Sequence, residues 1–350
     1  MIGSGPGQAA GDVFDGYYEL IENLGSGEFG EVWLARDQRL DRIVAVKLLL
    51  DPDEDAAWEE GQRLVELQSP HILPIYTAGL AIDVPYLVTE YAPGGTVADL
   101  MTPTGIAPRR AVEITRAVLR GLELSHQRRV LHRDVKPGNI FLRSNGDAQL
   151  GDFGVAAIMD ADGSAKSNGD LDVRAPEILK GARLTATSEV YSAGVTLWGM
   201  LVGRLPIEFD PMRGFAPHKA AVIAGVEDIR DAAPSVSRTL AGVVRTACAV
   251  NAKKRYTTVA EFDDALGRVK PVSADVVRVP SHSDHRECWE VLRLSDDHLV
   301  TVCVRDVTPS GAEIITRRSA SGQRVTGLCR SVKNRGAELV ALRRAFDALT

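Results

Sequence analysis

The chain has 350 residues, about two domains' worth of sequence at roughly 150 residues per domain, and its 45% hydrophobic and 25% charged residues exclude a disordered, collagen-like or fibrous polypeptide. A formal net charge of −6 disfavours nucleic-acid binding over the whole surface. The longest uncharged apolar stretch, 190–203, spans 14 residues with Ser192, Thr196 and three glycines, short of the roughly 20 a membrane helix needs. Four cysteines without a close pair fit a soluble protein in a reducing, cytoplasmic setting.

Residues 1–16 read as a mobile leader. The first twelve are rich in glycine and alanine and show neither the basic start nor the apolar stretch of a signal peptide. From Tyr17 the pattern alternates through Tyr18, Leu20 and Ile21, a glycine cluster, Val32-Trp33-Leu34 and Ile43-Val44-Ala45-Val46, which predicts antiparallel strands. Residues 55–67 predict a helix with Trp58, Leu64 and Leu67 on related faces, weakened at Gly61 by up to about 1 kcal/mol. Strands near 72–78 and 85–91 follow, then helices over 108–128, 187–203 and 235–250. The order predicts an α+β fold over 17–269: a small antiparallel β lobe, a large helical lobe and a cleft between them. Near Lys270-Pro271 a Val/Ser/Pro-containing connector marks a second boundary. Residues 271–350 then predict a small β-sheet from CWEVLRL, HLVTVCVR, AEIITRR and RVTGLC, with a helix over 337–349 whose stripe is Leu339, Leu342, Phe346 and Leu349.

Three blocks carry chemistry. In Gly25-Ser26-Gly27-Glu28-Phe29-Gly30-Glu31-Val32 the glycines would let backbone N–H groups lie against phosphates, whereas the plainer reading is a hairpin turn. A dinucleotide-binding motif would need a helix next, and Val32-Trp33-Leu34-Ala35 continues as a strand. Lys47 ends an apolar strand, where Glu60 could hold its ammonium for two phosphates or the head could simply reach water. The block His132-Arg133-Asp134-Val135-Lys136-Pro137-Gly138-Asn139 joins a carboxylate, a cation and an amide oxygen, and Asp152-Phe153-Gly154 adds a second oxygen ligand beside a glycine. Asp134 could accept a hydroxyl proton and Lys136 could hold a phosphoryl group, while Asn139 and Asp152 suit Mg²⁺. Each residue alone could be a turn former, surface charge or helix cap.

Together with Ala175-Pro176-Glu177, these ordered motifs resemble the eukaryotic-type (Hanks-type) serine/threonine protein kinase family over residues 18 to 268. The resemblance implies a bilobal kinase fold and an enzyme that transfers the γ-phosphoryl of Mg²⁺-ATP to protein serine or threonine hydroxyls. Gly25, Gly27 and Gly30 would cover the phosphates, and Val32 and Ala45 would pack above the adenine, with Leu24 among the nucleotide-contacting residues. Lys47 would contact the α/β-phosphates and pair with Glu60. Thr89 falls at the gatekeeper position, Glu90 to Ala92 at the hinge, and Phe141 at the pocket floor. Asp134 would be the catalytic base, with Asp152 and Asn139 on Mg²⁺. Lys136-Pro137-x-Asn139 resembles the Ser/Thr-specific subgroup, and Arg255 resembles the arginine that pairs with Glu177. The implied partners are a protein substrate and a second copy for trans-autophosphorylation.

The sequence also departs from the family pattern. Asp170 replaces a threonine that normally bonds the catalytic loop, Val173 replaces a tyrosine, and Glu189 replaces an aspartate that supports the HRD backbone. These changes put peptide specificity in doubt and support the alternative of a weakened kinase-fold scaffold that binds ATP or a partner. The loop after DFG offers Ser164 and Ser167 beside Asp160, Asp162, Asp170 and Asp172, so a phosphoserine switch competes with a loop held by aspartates. In the tail, six basic and no acidic residues between Arg317 and Arg335 read as a solvated face or an anion-binding one. His282, His285, Cys288, His298 and Cys303 could assemble a metal site, but their spacing departs from common zinc patterns, and buried cysteines with surface histidines is the plainer reading. The tail carries regulation or substrate docking in this reading.

Overall fold

The computed structural model describes residues 8–27, 30–49, 65–81, 84–153, 156–269, 274–282, 284–293 and 298–349. All but the last three residues of the predicted 55–67 helix lie outside that set, Glu60 with them, as do Gly154 and the Lys270-Pro271 boundary. Contacts divide the chain into two compact units, 1–97 with 120–169 and 183–186, and 98–119 with 170–182 and 187–350.

The first unit is built on a six-stranded antiparallel sheet in the order β1-β2-β3-β4-β6-β5: β1 (Val13–Phe14), β2 (Tyr18–Gly27), β3 (Gly30–Asp37), β4 (Arg42–Leu49), β5 (Ile75–Ala81) and β6 (Val84–Glu90). The two-residue period sorts its faces. Trp33, Ala35, Val44, Val46, Leu48, Tyr86 and Val88 form one apolar core with Phe14, Tyr18 and Leu20. Their neighbours Val32, Ala45, Lys47 and Thr89 fall on the other face, half-buried, with Val32 opposite Lys47 and Ala45 opposite Thr89. Register shifts in β2 leave Ile21 and Leu24 unpaired and exposed, so the alternation read from the sequence is broken by bulges there. Two short ladders complete the unit: β7 (Val130–Leu131) pairs with β10 (Ala157–Ile158), and β8 (Ile140–Leu142) with β9 (Ala148–Leu150).

Helix α1 (Pro108–Gln127) follows its predicted span. In the second unit, α2 (Ala186–Val202) is buried almost throughout, which explains why its sequence lacks charge beyond Glu189. Gly194 permits close packing there, since a Cβ would stand 2.7 Å from that of Ala247. Helices α3 (Phe215–Ala224), α4 (Arg238–Ala247) and α5 (Val259–Gly267) follow. Thr258 caps α5 by accepting from Glu261 N at 3.2 Å, while Glu261 Oε2 accepts from Thr257 N at 2.7 Å. Arg116 on α1 donates to Asp263 on α5 at 2.6 Å.

The C-terminal sheet is a meander of β11 (Ala274–Val279), β12 (Glu287–Arg293), β13 (His298–Asp306), β14 (Ala312–Arg318) and β15 (Arg330–Val332). Helix α6 (Arg335–Leu349) packs Leu342 and Phe346 into a core with Trp289, Val291, Val302, Val304 and Ile314. Leu339 and Leu349, expected in the same stripe, are only half-buried. Strand β11 occupies part of what reads as a connector. The segment RVTGLC is not a strand: 326–328 form a 3₁₀ turn at Gly327, where a strand would lack a side chain to pack, and pairing resumes only at β15. Arg317, Arg318, Arg324, Arg330, Lys333 and Arg335 are exposed, Arg324 donating to Glu313 at 2.8 Å and Arg335 pairing with Glu338, as a solvated face requires. Among the described residues no helix is long and apolar enough to cross a membrane.

Candidate active site

The first unit gathers most of the residues singled out from the sequence. The outer face of its sheet presents Val32, Ala45, Lys47 and Thr89 together, an apolar patch ending in one ammonium. Leu24 stands in the β2 bulge, 44% exposed, with Gly25 N donating to Asn23 Oδ1 at 2.9 Å. Gly30 begins β3 at φ +138°, and a Cβ there would lie 1.8 Å from the Leu48 carbonyl oxygen. Glycine is required at that point by the backbone itself. After β6, Glu90 accepts from Arg143 at 3.4 Å and Ala92 is buried. Phe141 on β8 is half-buried and bridges to Thr96, and a Cβ at Gly151 would meet its ring at 2.7 Å.

The loop between β7 and β8 holds the carboxylate. Asp134 is 3% exposed, and its Oδ2 accepts from Asn139 Nδ2 at 2.9 Å and lies 3.0 Å from Lys136 Nζ. Asn139 Nδ2 also donates to the Asp134 carbonyl at 2.8 Å, which fixes the amide plane and leaves Oδ1 as the atom suited to a cation. Arg133 and Asp152 adopt φ values of +70° and +58°, unusual for residues with a side chain and costing on the order of 1–3 kcal/mol each. Buried neighbours hold that strain: His132 Nε2 is 2.9 Å from the Gly151 carbonyl oxygen, and its ring meets Phe153 edge-on at 4.5 Å. Lys47 forms an ion pair with Asp152 across 105 positions of sequence. Its expected pairing with Glu60 lies outside the described residues, and Gly27 pairs with Gly30 at the end of β2.

A model of the protein kinase domain matches residues 18–266. The chain belongs to the protein kinase family. It is 37% identical to serine/threonine-protein kinase PknB of Mycolicibacterium smegmatis over 275 residues, covering 72% of this chain and 43% of that one. It is likewise 37% identical to PknB of Mycobacterium tuberculosis over 271 residues, and 29% identical to serine/threonine-protein kinase PrkC of Bacillus subtilis over 263, covering 72% of this chain and 42% and 40% of those proteins. The chain therefore spans less than half the length of these relatives. The match ends at residue 266, so the strand-rich C-terminal region lies outside the kinase model.

The kinase domain's helical part shows the pair expected at Arg255. Its guanidinium grips Glu177 through two bonds of 2.7 Å each, and Ser188 Oγ donates to the same carboxylate at 3.0 Å. Of the departures, Asp170 caps a 3₁₀ turn by accepting from Asp172 N at 3.0 Å, Val173 is buried, and Glu189 is buried at 1% exposure. Arg183 went unnoticed in the sequence. It donates to Ser164 Oγ at 2.7 Å and pairs with Asp160, a contact that only the folded loop reveals. Ser164 is buried and donates to Asp162 at 2.6 Å, which helps draw that carboxyl below its usual range, whereas Ser167 is exposed.

Proposed function

We propose that this chain is an ATP- and Mg²⁺-dependent serine/threonine protein kinase. The observation that carries the reading is the cluster of Asp134, Lys136 and Asn139 within 3.0 Å of one carboxylate oxygen, in a unit that also holds the Lys47–Asp152 pair. The donor set fits a hard cation, with an amide oxygen at Asn139 and a carboxylate at Asp152. Bound there, Mg²⁺ would supply charge neutralisation to the ATP phosphates.

Asp134 takes the proton of the acceptor hydroxyl at its carboxylate, oriented by Asn139. Lys136 keeps its positive charge beside that oxygen, where negative charge moves as the phosphoryl group transfers. Lys47, held by Asp152 at the edge of the sheet's apolar patch, would contact the α/β-phosphates. Val32, Ala45, Thr89, Glu90, Ala92 and Phe141 would hold the adenine. Catalysis is then positioning and charge neutralisation rather than covalent chemistry.

The loop after DFG reads best as held by acids, since Arg183 is already engaged by Asp160 and Ser164. Exposed Ser167 is the accessible acceptor for autophosphorylation between two copies. We assign residues 271–350 an accessory role in regulation or substrate docking, and the chain to a cytoplasmic, reducing setting in which its cysteines stay unbridged. The deciding experiment is transfer from radiolabelled ATP to a basic protein substrate, in Mg²⁺ and in EDTA, beside Asp134→Asn. Metal-dependent label reduced about 10²–10⁴-fold in the variant, with nucleotide affinity retained, is expected. Wild-type turnover in Asp134→Asn removes Asp134 from the role of base, and ATP binding without transfer by the parent protein favours the scaffold alternative.

A further inference from the structure

The C-terminal sheet has one face covered by α6. Alternation places Trp289 on β12 and Val302 and Val304 on β13 against that helix, so Cys288 and Cys303 project from the opposite face. They are direct cross-strand partners, and both are buried, at 0% and 3% exposure. Their near neighbours are His282 and His285, on the connection between β11 and β12.

The donor atoms of these four residues all lie within 4.8 Å of one another. Cys288 Sγ is 3.3 Å from His282 Nδ1 and 3.7 Å from His285 Nδ1, and Cys303 Sγ is 3.6 Å from His282 Nδ1. The two Nδ1 atoms are 3.3 Å apart. A tetrahedral Zn²⁺ with bonds of about 2.3 Å to sulfur and about 2.0–2.1 Å to nitrogen sets ligand–ligand edges of roughly 3.3–3.8 Å. Four of the six separations fall on those edges, and the other two are within 4.8 Å. Hydrogen bonds alone cannot let both Nδ1 atoms accept from thiols without two nitrogen lone pairs facing each other at 3.3 Å, so one ring would have to carry its proton on Nδ1 and donate it to the other. A cation at the centre removes that conflict. The far nitrogen of His285, Nε2, lies 3.6 Å from Asp284 Oδ1, the kind of carboxylate that orients metal-bound imidazoles.

We propose that His282, His285, Cys288 and Cys303 form a Cys₂His₂ zinc site that fastens the β11–β12 connection to the face of the C-terminal sheet opposite α6. Binding displaces two thiol protons, leaving two thiolates and two neutral imidazoles around Zn²⁺ with no net charge. Four protein ligands leave no open position, so the site is structural. It supplies a second anchor where five strands and one helix provide a single small core. His298, at the start of β13, is exposed and takes no part in the cluster.

The test uses the full chain purified without chelator. Elemental analysis should give one zinc per chain, retained in His298→Ala and lost in Cys288→Ser and in His282→Ala. The histidine variant, altered at an exposed position, serves if the buried cysteine variant fails to fold. Co²⁺ in place of zinc should give an intense tetrahedral visible spectrum with thiolate charge transfer, and Asp284→Asn should weaken zinc binding about 10–100-fold. Failure of Zn²⁺-supplemented, reduced protein to retain zinc, together with no tetrahedral Co²⁺ spectrum, overturns the proposal. So does a count of two reactive thiols in the denatured, unreduced protein, which would mean that Cys288 and Cys303 form a disulfide instead.

Discussion

Replacing Arg255 with methionine tests how the segment around Ala175-Pro176-Glu177 is held. The Arg255 side chain is fully buried and donates five hydrogen bonds: two to Glu177, and one each to the carbonyls of Ala249 at 2.6 Å, Thr187 at 3.1 Å and Val250 at 3.3 Å. Its guanidinium also stands 4.8 Å from the Tyr191 ring centroid. Methionine fills much of the volume but leaves the Glu177 charge without its cation and three carbonyls without this donor. Removing one partner of a buried pair costs about 3–5 kcal/mol. The Glu177 side chain is 24% exposed, so water recovers part of that loss and about 3–4 kcal/mol is expected. Hydrogen exchange at the α2 amides near Thr187 and Ser188 should then accelerate by about 10²–10³-fold, at 1.36 kcal/mol per decade. Adding Glu177→Gln removes the stranded charge and should restore about 1–2 kcal/mol, making the double variant less damaged than the sum of the singles. Protection within tenfold of the parent, or strict additivity, would refute the claim that this pair anchors the segment.

Three further outcomes follow from other contacts. Gly30→Ala must move the Leu48 carbonyl and strain φ, so nucleotide affinity should fall and the β3–β4 amides lose protection by about 1–3 kcal/mol; unchanged exchange there would sink the steric argument. Phe346→Ala removes a ring packed edge-on against Trp289 at 5.4 Å, costing the C-terminal sheet about 3–5 kcal/mol in urea unfolding, and a loss under 1 kcal/mol would show the helix to be dispensable. Burial raises the Asp172 carboxyl above its ordinary value, more than the Phe209 N–H bond lowers it, so the native state holds that proton more tightly than the unfolded chain does. Stability from this group is present at low pH and lost as pH rises from the ordinary carboxylate range through the raised native value. Asp172→Asn should therefore be at least as stable as the parent at pH 7, with its advantage shrinking on acidification; an advantage that grows as pH falls would reverse the sign.

What could be read in advance was what lies close together in the chain. The HRD and DFG blocks each fit on one short loop, so residue type and spacing suffice to suggest their chemistry, and the two-residue period on β3, β4 and β6 already separates Val32, Ala45 and Lys47 from the core residues between them. The bulges in β2 could not be read, because Ile21 and Leu24 are as apolar as the buried Leu20 and only the shift in register leaves them exposed. β11 was hidden by the polar and proline residues around it. Arg183 shows a different limit: its role depends on a guanidinium returning 19 residues to Ser164, and one arginine in a charged loop carries no local sign of that. The His/Cys cluster lies between these cases. All four donors were visible, but their sequence spacing follows from a loop laid over a sheet and from cross-strand register, rather than from the short turns that generate familiar zinc patterns. A sheet can thus bring together donors such as Cys288 and Cys303, 15 positions apart, because antiparallel pairing makes them neighbours. Pattern matching by short spacing therefore misses sites of this construction, and strand register is the information it lacks.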